Sequence, residues 1–400
     1  MRGTPHRSNR DTTVICAISG GVDSAVAAWM LLRDGYRVEG LHMTNWEDDD
    51  GYCTAAKDLR DARQVCTDLD IPLHPVNFTR EYRDQVFADF LREYTAGRTP
   101  NPDVLCNREI KFGVMLDYAK RLGGDLLATG HYARVRADGR LLKGADPGKD
   151  QSYFLHQVSR DALAMTLFPL GDRVKDDVRR IANEAGLAVY NKPDSTGICF
   201  IGERPFREFL AQFIPERPGD AVTPAGQVVG THHGLAYYTL GQRQGLGIGG
   251  QADGSQEPWF VAGKDESRNA LIVVQGREHP LLWSIGLTAG PLHWIAGPPA
   301  ALDDGELRCC VKTRYRQADI DCTVRRLPDG SLDVRFDSPQ WAVTPGQYAV
   351  FYSSDECLGG GPIAQPIRDE AAEKSRAAGV RQPRSSAGLP GPATGRPYDL

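Results

Sequence analysis

Short apolar runs rich in β-branched residues alternate with stretches of helical spacing through the first 130 residues. The strand-like runs are residues 12–19, 36–44, 72–78 and 124–131, and the helical stretches are residues 25–35, 55–69, 80–94 and 109–121. A chain that alternates strands with helices builds a parallel sheet with helices on both faces. The sequence therefore predicts an N-terminal α/β domain with a doubly wound parallel sheet.

The pattern changes after residue 200. Residues 215–276 are rich in glycine, and between 280 and 365 alternating apolar and polar runs are separated by turn residues. Such runs are typical of a small antiparallel barrel or sandwich. The last 35 residues lose the apolar period and gain Pro, Gly, Ser and Arg, which predicts a disordered tail.

A chain of 400 residues is longer than one hydrophobic core normally supports, so several domains are expected. The predicted divisions are a disordered N-terminus (1–11), an α/β catalytic domain (12–204), a small central domain (205–278), a C-terminal β-barrel (279–365) and a disordered tail (366–400).

The composition, with 41% hydrophobic and 25% charged residues, is that of a soluble globular protein. No apolar run is long enough to span a membrane, and the basic start MRGTPHRSNR is not followed by the apolar stretch of a signal peptide. We therefore expect a cytoplasmic monomer without a membrane partner. A net charge of −5 gives no support for nucleic-acid binding unless basic residues cluster locally.

The nine cysteines argue against a secreted fold stapled by disulfides, because their number is odd and no signal peptide precedes them. No two of them are separated by two residues, so the sequence lacks the CxxC spacing of zinc ribbons, iron–sulfur sites and thioredoxin-type sites. Any cysteine chemistry must then use thiols that the fold brings together.

The hexapeptide SGGVDS, residues 19–24, follows the first predicted strand and opens the first predicted helix. A helix N-terminus offers free backbone N–H groups and the positive end of the helix dipole, which both favour phosphate. Gly20 and Gly21 let the backbone approach an anion, both serines can donate to phosphate oxygens, and Asp23 is a candidate magnesium ligand. The segment matches neither GxxxxGK[ST] nor GxGxxG. We interpret it as a phosphate loop rather than an ordinary glycine turn.

This hexapeptide resembles the pyrophosphate loop of the PP-loop ATP pyrophosphatases. That superfamily adenylates a carbonyl or carboxyl oxygen and releases pyrophosphate, usually with magnesium. It includes amide-forming synthetases, lysidine synthetase and sulfur-inserting RNA enzymes, so the loop alone does not identify the substrate. The resemblance implies that ATP and magnesium are the cofactors.

Two cysteines stand out by their surroundings. Cys106 lies in the loop-like run GRTPNPDVLCNREIKF beside Arg108 and Lys111, cations that can lower the pKa of a thiol. Cys199 lies between glycines in KPDSTGICFIGERPF, which favours a tight exposed turn, although its apolar neighbours also suit a buried core cysteine. The local sequence leaves both a functional and a structural role open for each of them.

Together with SGGVDS, a series of longer segments resembles the bacterial tRNA-specific 2-thiouridylases. In order, these segments are NWEDDDGYCTAAKDL (45–59), AGRTPNPDVLCNREIKF (96–112), ATGHYARV (128–135), KDQSYFL (149–155), DSTGICFIGERPFREFL (194–210), TLGQRQGLGIGG (239–250), VKTRYRQADIDCTV (311–324) and TPGQYAVFY (344–352). The resemblance covers about residues 12–365 and implies a PP-loop catalytic domain, a small central tRNA-interacting domain and a C-terminal antiparallel β-barrel. Ala17 stands where the family more often has glycine.

The resemblance also implies roles for individual residues. The ATP site would comprise Ala17, Ile18, Ser19, Gly20, Gly21, Val22, Asp23, Ser24, Met43 and Gly130. Cys106 would be the nucleophile, Cys199 the cysteine that carries sulfur as a persulfide, and Asp103 a general acid or base. The tRNA contacts would be Asn101, Pro102 and Asp103 at the target base, and Lys149, Asp150, Gln151, Arg314 and Tyr315 elsewhere.

Members of that family convert the wobble uridine, position 34 of certain tRNAs, to 2-thiouridine. The resemblance implies that ATP adenylates the C2 oxygen and that the sulfur of a Cys199 persulfide, directly or as released sulfide, replaces it, with release of AMP and pyrophosphate. Cys106 would then form a disulfide with Cys199, which a reductant reopens. The implied partners are the lysine, glutamate and glutamine tRNAs and an upstream persulfide sulfur-relay protein.

Two other functions are considered. A PP-loop amide-forming synthetase would use ATP without sulfur chemistry and would not need Cys106 or Cys199. A non-enzymatic RNA-binding or nucleotide-sensing protein would bind tRNA without releasing pyrophosphate.

The basic run at 308–316 suits phosphate contacts and base stacking, but also an ordinary solvated strand face. His131 can contact the nucleotide or simply form a hydrogen bond within a loop.

Overall fold

The computed structural model describes residues 8–46, 55–194, 205–249 and 257–369. Cys199 and most of the acidic run at 46–50 lie outside the described residues, so the predictions made for them are not addressed by the fold. Within the described ranges, no helix has both the length and the apolar character needed to cross a membrane.

The described strands are β1 (Thr13–Ala17), β2 (Arg37–Thr44), β3 (Leu73–Asn77), β4 (Leu126–Ala128), β5 (Ala133–Val135), β6 (Leu141–Lys143), β7 (Thr166–Leu167), β8 (Gly219–Val222), β9 (Val228–His232), β10 (Trp259–Asp265), β11 (Ala270–Gln275), β12 (Trp283–Ala289), β13 (His293–Trp294), β14 (Leu307–Lys312), β15 (Ile320–Arg326), β16 (Leu332–Trp341), β17 (Tyr348–Ser353) and β18 (Glu356–Ile367). The α-helices are α1 (Val22–Arg33), α2 (Ala55–Asp68), α3 (Thr79–Tyr82), α4 (Ala88–Thr95), α5 (Pro102–Leu105), α6 (Met115–Arg121), α7 (Ser152–Leu155), α8 (Arg160–Ala164), α9 (Lys175–Glu184) and α10 (Phe206–Ala211).

A parallel sheet of five strands forms the N-terminal part and confirms the predicted doubly wound α/β class. Its spatial order is β3-β2-β1-β4-β7, so the chain moves outward in one direction from β1 to β3 and then returns to the other side of β1 with β4. Val14, Ile15 and Cys16 of β1 are fully buried, as expected for a central parallel strand covered on both faces. The direction of chain travel reverses between β1 and β4.

The segment around Cys106 is helical, and the prediction of a loop there is wrong. α5 continues directly into a π-helical stretch, Cys106–Val114, which leads into α6. Asn101 caps the start of α5 by accepting a hydrogen bond from the backbone N–H of Asp103, and Pro102 occupies the first turn. Proline at that position needs no N–H donor, so NPD is a helix-start signal rather than loop punctuation.

The later part of the chain forms two further sheets. A four-stranded sheet of order β10-β11-β8-β9 makes the central unit, which the sequence had shown only as glycine-rich short pieces. The second is an antiparallel sheet in which neighbouring strands pair in the spatial order β12-β16-β15-β14-β17-β18. β12 also pairs with β18, which closes this sheet into a barrel. This closure confirms the predicted C-terminal β-barrel, and β18 continues to Ile367, past the predicted boundary at 365.

A hairpin from the N-terminal part joins the barrel sheet. β5 pairs with β6, and Leu141 and Leu142 of β6 pair with Cys357 and Glu356 of β18. One hydrophobic core cluster also runs from the α/β domain through the central unit into the barrel, with Val104, Val261 and Val350 all fully buried. The sheets are therefore packed as one body around the region of Cys106.

Candidate active site

The phosphate loop lies at the carboxyl edge of the parallel sheet, where the strand order reverses. β1 ends at Ala17 and α1 begins at Val22, so residues 18–21 make the turn between them. Ligands of open α/β sheets bind in the crevice at such a reversal point. Gly20 adopts φ +80°, and a Cβ added there would stand 2.6 Å from the Asp58 carbonyl oxygen. The loop therefore requires glycine at this position for both its conformation and its packing.

The two serines of the loop hold its shape. The Ser24 hydroxyl accepts a hydrogen bond from the Ser19 backbone N–H at 3.1 Å and donates one to the Gly21 carbonyl at 3.0 Å. The Ser19 hydroxyl accepts from the Gly21 N–H at 3.3 Å and lies 3.1 Å from the Ser24 hydroxyl. These hydroxyls complete the turn in this structure, in addition to any contact that they make with phosphate.

Met43 and Gly130 lie on the two sides of the loop. Met43 is near the carboxyl end of β2, and Gly130 follows the carboxyl end of β4, so both belong to strands adjacent to β1. A Cβ on Gly130 would be 2.8 Å from the Ser24 backbone nitrogen and 2.9 Å from the Asp23 carbonyl carbon. The structure thus brings together the residues predicted to form the ATP site, with Gly130 in contact with the first turn of α1.

The carboxylate of Asp23 is held by two residues outside the loop. Both of its oxygens lie 2.8 Å from the Lys175 ammonium, and the Tyr132 hydroxyl donates to one of them at 2.7 Å. Lys175 also contacts Asp194 at 2.8 Å. The part of the chain that the structure describes contains no group of three His, Cys, Asp or Glu residues suited to a metal ion. Asp23 would have to exchange its lysine partner to serve as a magnesium ligand.

A second lysine holds the other end of the loop. The Lys192 ammonium donates to the Gly20 carbonyl oxygen at 3.1 Å and contacts Asp58 at 3.0 Å and Asp61 at 2.5 Å. Although partial burial opposes it, the hydrogen bonds that the ammonium donates to these two carboxylates raise the pKa of Lys192. The lysine therefore stays charged beside the loop.

Cys106 is a buried residue of the helical segment, and Asp103, one turn earlier, is half-buried. Cys106 is 3% exposed and belongs to the core cluster that joins the domains. Burial raises the pKa of Asp103 above its usual range, and the Lys111 ammonium opposes that rise. A raised pKa favours the protonated form of a carboxyl group, which is the direction that a general acid needs.

His131 lies between Lys111 and Thr129. Its Nε2 is 3.4 Å from the Lys111 ammonium and its Nδ1 is 2.7 Å from the Thr129 hydroxyl. Because an ammonium only donates, Nε2 is the acceptor and the proton is on Nδ1. Burial and the Lys111 charge lower the pKa of His131 well below its usual value, so the ring is neutral.

Residues 97–99, which precede the predicted base contacts, form hydrogen bonds with both the central unit and the barrel. The Lys264 ammonium, from the central unit, donates to the Gly97 carbonyl at 2.7 Å, and the Thr239 and Thr99 hydroxyls lie 3.1 Å apart. From the barrel side, the Gln347 amide donates to the Thr99 carbonyl at 2.9 Å. Asn101, Pro102 and Asp103 therefore follow directly after a junction of three sheets.

Among the predicted tRNA contacts at 149–151, the side chains of Asp150 and Gln151 form hydrogen bonds within the protein. Asp150 is 6% exposed and accepts from the backbone N–H groups of Gly144 and Ser152. The Gln151 side chain accepts from the Tyr132 backbone N–H at 3.0 Å. Lys149 is more exposed and contacts Asp194 at 2.8 Å, so its ammonium is the group of this segment placed nearest to solvent.

Arg314 and Tyr315 lie after β14, at the contact between the barrel and the central unit. The Arg314 guanidinium donates to the carbonyls of Leu240 and Ala342 at 3.2 and 3.0 Å. The Tyr315 ring lies 4.3 Å from the Phe154 ring, centroid to centroid. Both side chains thus support the packing of the domains, and a contact with tRNA stays a prediction.

Known protein families match most of the chain between residues 12 and 363. Three family models match it: the tRNA methyl transferase HUP domain over residues 12–203, the tRNA methyl transferase PRC-barrel domain over 207–275 and the aminomethyltransferase beta-barrel domain over 284–363. A relative from Marinobacter nauticus named tRNA-specific 2-thiouridylase MnmA is 56% identical over 383 residues, 94% of this chain and 97% of the relative. The chain belongs to the tRNA-specific 2-thiouridylase family.

Other 2-thiouridylases match at the same level. The relative from Methylococcus capsulatus, also named tRNA-specific 2-thiouridylase MnmA, is 60% identical over 356 residues, 88% of this chain and 95% of that relative. Among solved structures, the match to the U34-tRNA thiolase NcsA from Methanococcus maripaludis covers 51% of this chain and 65% of that chain, with 20% identity and a TM-score of 0.33. The family resemblance predicted from the sequence is confirmed.

Several residues of the site were not found by sequence reasoning. The fold alone brings Tyr132, Lys175 and Lys192 to residues 19–24, and Asp194 to Lys175. No local motif marks the two lysines as different from surface lysines. Asn107, directly after Cys106, is 2% exposed, and its amide oxygen has no hydrogen-bond partner among the described residues. Asn107, Tyr132 and Asp194 lie within segments of the family resemblance and Lys192 lies just before one, which was their only signal, whereas Lys175 lies outside every such segment and had none.

Proposed function

We propose that this chain is a tRNA-uridine 2-sulfurtransferase that converts the wobble uridine of tRNA to 2-thiouridine. The observation that carries the proposal is the identity of 56 to 60% with relatives named tRNA-specific 2-thiouridylase over nearly the full length of both chains. The expected substrates are the lysine, glutamate and glutamine tRNAs, and the expected sulfur source is a persulfide-carrying relay protein. We expect the enzyme to act as a monomer in the cytoplasm.

The phosphate loop supports the ATP half of the reaction. ATP adenylates the C2 oxygen of the uracil ring and releases pyrophosphate, which converts a poor leaving group into AMP. The N-terminus of α1 offers backbone N–H groups and a positive dipole end to the phosphates, with Gly20 allowing close approach. Magnesium would accompany the nucleotide, and the Asp23 carboxylate, the candidate ligand from the sequence, is held by Lys175 in this structure.

The sulfur half uses two thiols. The terminal sulfur of a Cys199 persulfide bonds to C2 and AMP leaves, so the base is joined to Cys199 through two sulfurs. The Cys106 thiolate then attacks the Cys199 sulfur, which breaks the sulfur–sulfur bond and leaves 2-thiouridine. Cys106 and Cys199 are oxidised together to a disulfide, and an external thiol reductant returns both to thiols. In the alternative route, the Cys106 thiolate first attacks the Cys199 persulfide and releases sulfide, which then bonds to C2 as AMP leaves. This route also ends with 2-thiouridine and a disulfide between Cys106 and Cys199.

Asp103 is proposed to transfer a proton near the base. Its raised pKa and its place one turn before Cys106 suit a group that exchanges a proton during the reaction. The three-sheet junction at 97–99 holds the segment that would contact the uracil, so the base would be placed between rigid elements.

The test combines a cellular and a purified assay. Nucleosides from tRNA of cells lacking the protein should lose 2-thiouridine derivatives by mass spectrometry, and the wild-type gene but not Cys199→Ser or Cys106→Ser should restore them. Purified enzyme should release pyrophosphate with a tRNA transcript that carries uridine 34, and not with a transcript that carries cytidine there. Full activity of both serine variants would instead support an amide-forming synthetase, and tRNA binding without pyrophosphate release would support a binding protein.

A further inference from the structure

Two lysines that are close in sequence, Lys175 and Lys192, contact the two ends of the phosphate loop. Lys175 begins α9 and holds Asp23 in the first turn of α1, and Lys192 holds the Gly20 carbonyl at the other end of the loop. These lysines are 152 and 172 residues away from their loop partners in the sequence. Among the residues that the structure describes, they are the only side-chain cations that contact residues 19–24.

Lys175 is almost fully enclosed, and its charge is matched by carboxylates. Its side chain is 10% exposed, and its ammonium makes three contacts of 2.8 Å, two to Asp23 and one to Asp194. An ammonium has three N–H donors, so these contacts use all of them. Burying a charge without such partners is costly, so Lys175 and the two carboxylates depend on one another.

Neutralising Asp23 matters because of where it stands. The first turn of α1 is the place where the negatively charged phosphates of ATP would bind, and a bare carboxylate there would repel them. Lys175 cancels that charge and fixes the carboxylate to one side. Asp194 in turn fixes Lys175, assisted by Lys149 and Arg179 at 2.8 and 2.9 Å.

Lys192 acts on the backbone of the loop. A hydrogen bond to the Gly20 carbonyl sets the orientation of the peptide unit that joins Gly20 to Gly21, and so directs the N–H of Gly21. Asp58 and Asp61 of α2 hold the ammonium in place. The positive φ of Gly20 is thus supported by a contact outside the loop.

We propose that Lys175 and Lys192 form a lysine clamp that positions the phosphate loop for ATP, with Asp194 as the anchor of Lys175. The clamp deepens the proposed function, because it concerns the ATP half of that reaction. The lysines are positioning residues: they act through Asp23 and Gly20. Loss of either lysine should therefore weaken ATP binding while tRNA binding stays intact.

The experiment measures the affinity for ATP and for tRNA separately in the full-length protein. Titration calorimetry with ATP should show a weakening of roughly tenfold or more for Lys175→Met and for Lys192→Met, since each removes charge-assisted hydrogen bonds. The affinity for a lysine tRNA transcript, measured by filter binding, should change less than about twofold. Asp194→Asn, which keeps Lys175 and the shape of its partner, should weaken ATP binding in the same direction but less.

Lys120→Met is the matched control, because Lys120 is an exposed lysine of α6 with a surface partner, Asp117. It should leave both affinities unchanged. Unaltered ATP affinity in Lys175→Met and Lys192→Met, or an equal loss of ATP and tRNA affinity, would overturn the clamp. If one methionine variant fails to fold, judged by its thermal unfolding, Asp194→Asn decides for Lys175. A wild type that binds ATP but forms no 2-thiouridine would contradict the proposed function and leave the clamp testable by the same titration.

Discussion

At the residue scale, the structure separates cysteines with a structural role from the proposed nucleophile. Cys16 is fully buried, and burial raises the pKa of its thiol; burial likewise raises the pKa of Cys66 to about 11 and of Cys357 to about 12. The Cys309 and Cys322 sulfurs lie 3.8 Å apart on the adjacent strands β14 and β15, while Cys310 points to the opposite face toward Asp321.

The raised pKa values predict slow reaction of the structural thiols. At pH 8 a thiol of pKa about 11 is roughly one part in a thousand thiolate, the reactive form. Brief alkylation of the folded protein should leave Cys16, Cys66 and Cys357 unlabelled in peptide mass spectra, and the same treatment in denaturant should label all three. Rapid labelling of Cys66 in the folded protein would contradict the buried position.

At the element scale, the contact between the β4 edge and α1 is set by a glycine. Gly130 has no room for a side chain because the backbone of Asp23 and Ser24 stands within 3 Å of the position of a Cβ. A methyl group there must push the strand edge and the helix start apart, and the phosphate loop lies between them.

Gly130→Ala should therefore raise the KM for ATP about tenfold or more, with a much smaller change in the KM for tRNA. Gly249→Ala is the control, because a Cβ at Gly249 would meet no atom within 4 Å. Steady-state kinetics with each substrate varied in turn would measure both effects. Equal KM values for ATP in the Gly130→Ala variant and the wild type would show that the helix start can move without affecting the nucleotide.

Also at the element scale, Lys264 of β10 donates a hydrogen bond to the Gly97 carbonyl, in the segment before α5. Burial lowers the pKa of Lys264 to about 8 from its ordinary 10.5, so between these values the unfolded chain holds a proton that the folded chain lacks. The free energy of unfolding should then increase as the pH rises from about 8 to about 10.5. Lys264→Met should remove that part of the increase, measured by denaturant unfolding at several pH values. Parallel pH profiles for the variant and the wild type would contradict the assignment.

At the scale of the whole molecule, the junction between the α/β part and the barrel contains a buried neutral histidine. His156 is fully buried, donates through Nδ1 to the Tyr153 carbonyl at 2.7 Å, and its ring lies 4.9 Å from the Tyr348 ring of β17. Burial lowers its pKa to about 3, so a proton on this ring would place an unmatched charge inside the junction.

The folded protein should therefore lose stability as the pH falls. The unfolded chain takes up a proton on His156 below about pH 6.5, whereas the folded chain resists protonation until about pH 3, so the stability present above 6.5 is lost through this window. His156→Gln should show a shallower decline of the thermal midpoint between about pH 6.5 and about pH 4. His74, a part-exposed surface residue paired with Glu39, provides the control as His74→Gln, which should keep the wild-type slope.

The sequence by itself determined the fold class, the family and the local parts of the site. Alternation of strands and helices predicts the parallel sheet, and SGGVDS predicts a phosphate-binding turn, because hydrophobic period and glycine conformation are local properties of the chain. The same local reasoning went wrong at NPD, where a helix-start signal was taken for a loop.

Only the tertiary structure decided which distant residues complete the site. Lys175, Lys192 and Lys264 read as ordinary lysines along the chain, and their contacts with Asp23, Gly20 and Gly97 arise from packing between elements far apart in sequence. Ion pairs and hydrogen bonds depend on the distance between groups in space, and no pattern of neighbouring residues encodes that distance. The type of chemistry is thus written locally, while the electrostatic support of the phosphate loop exists only once the chain has folded.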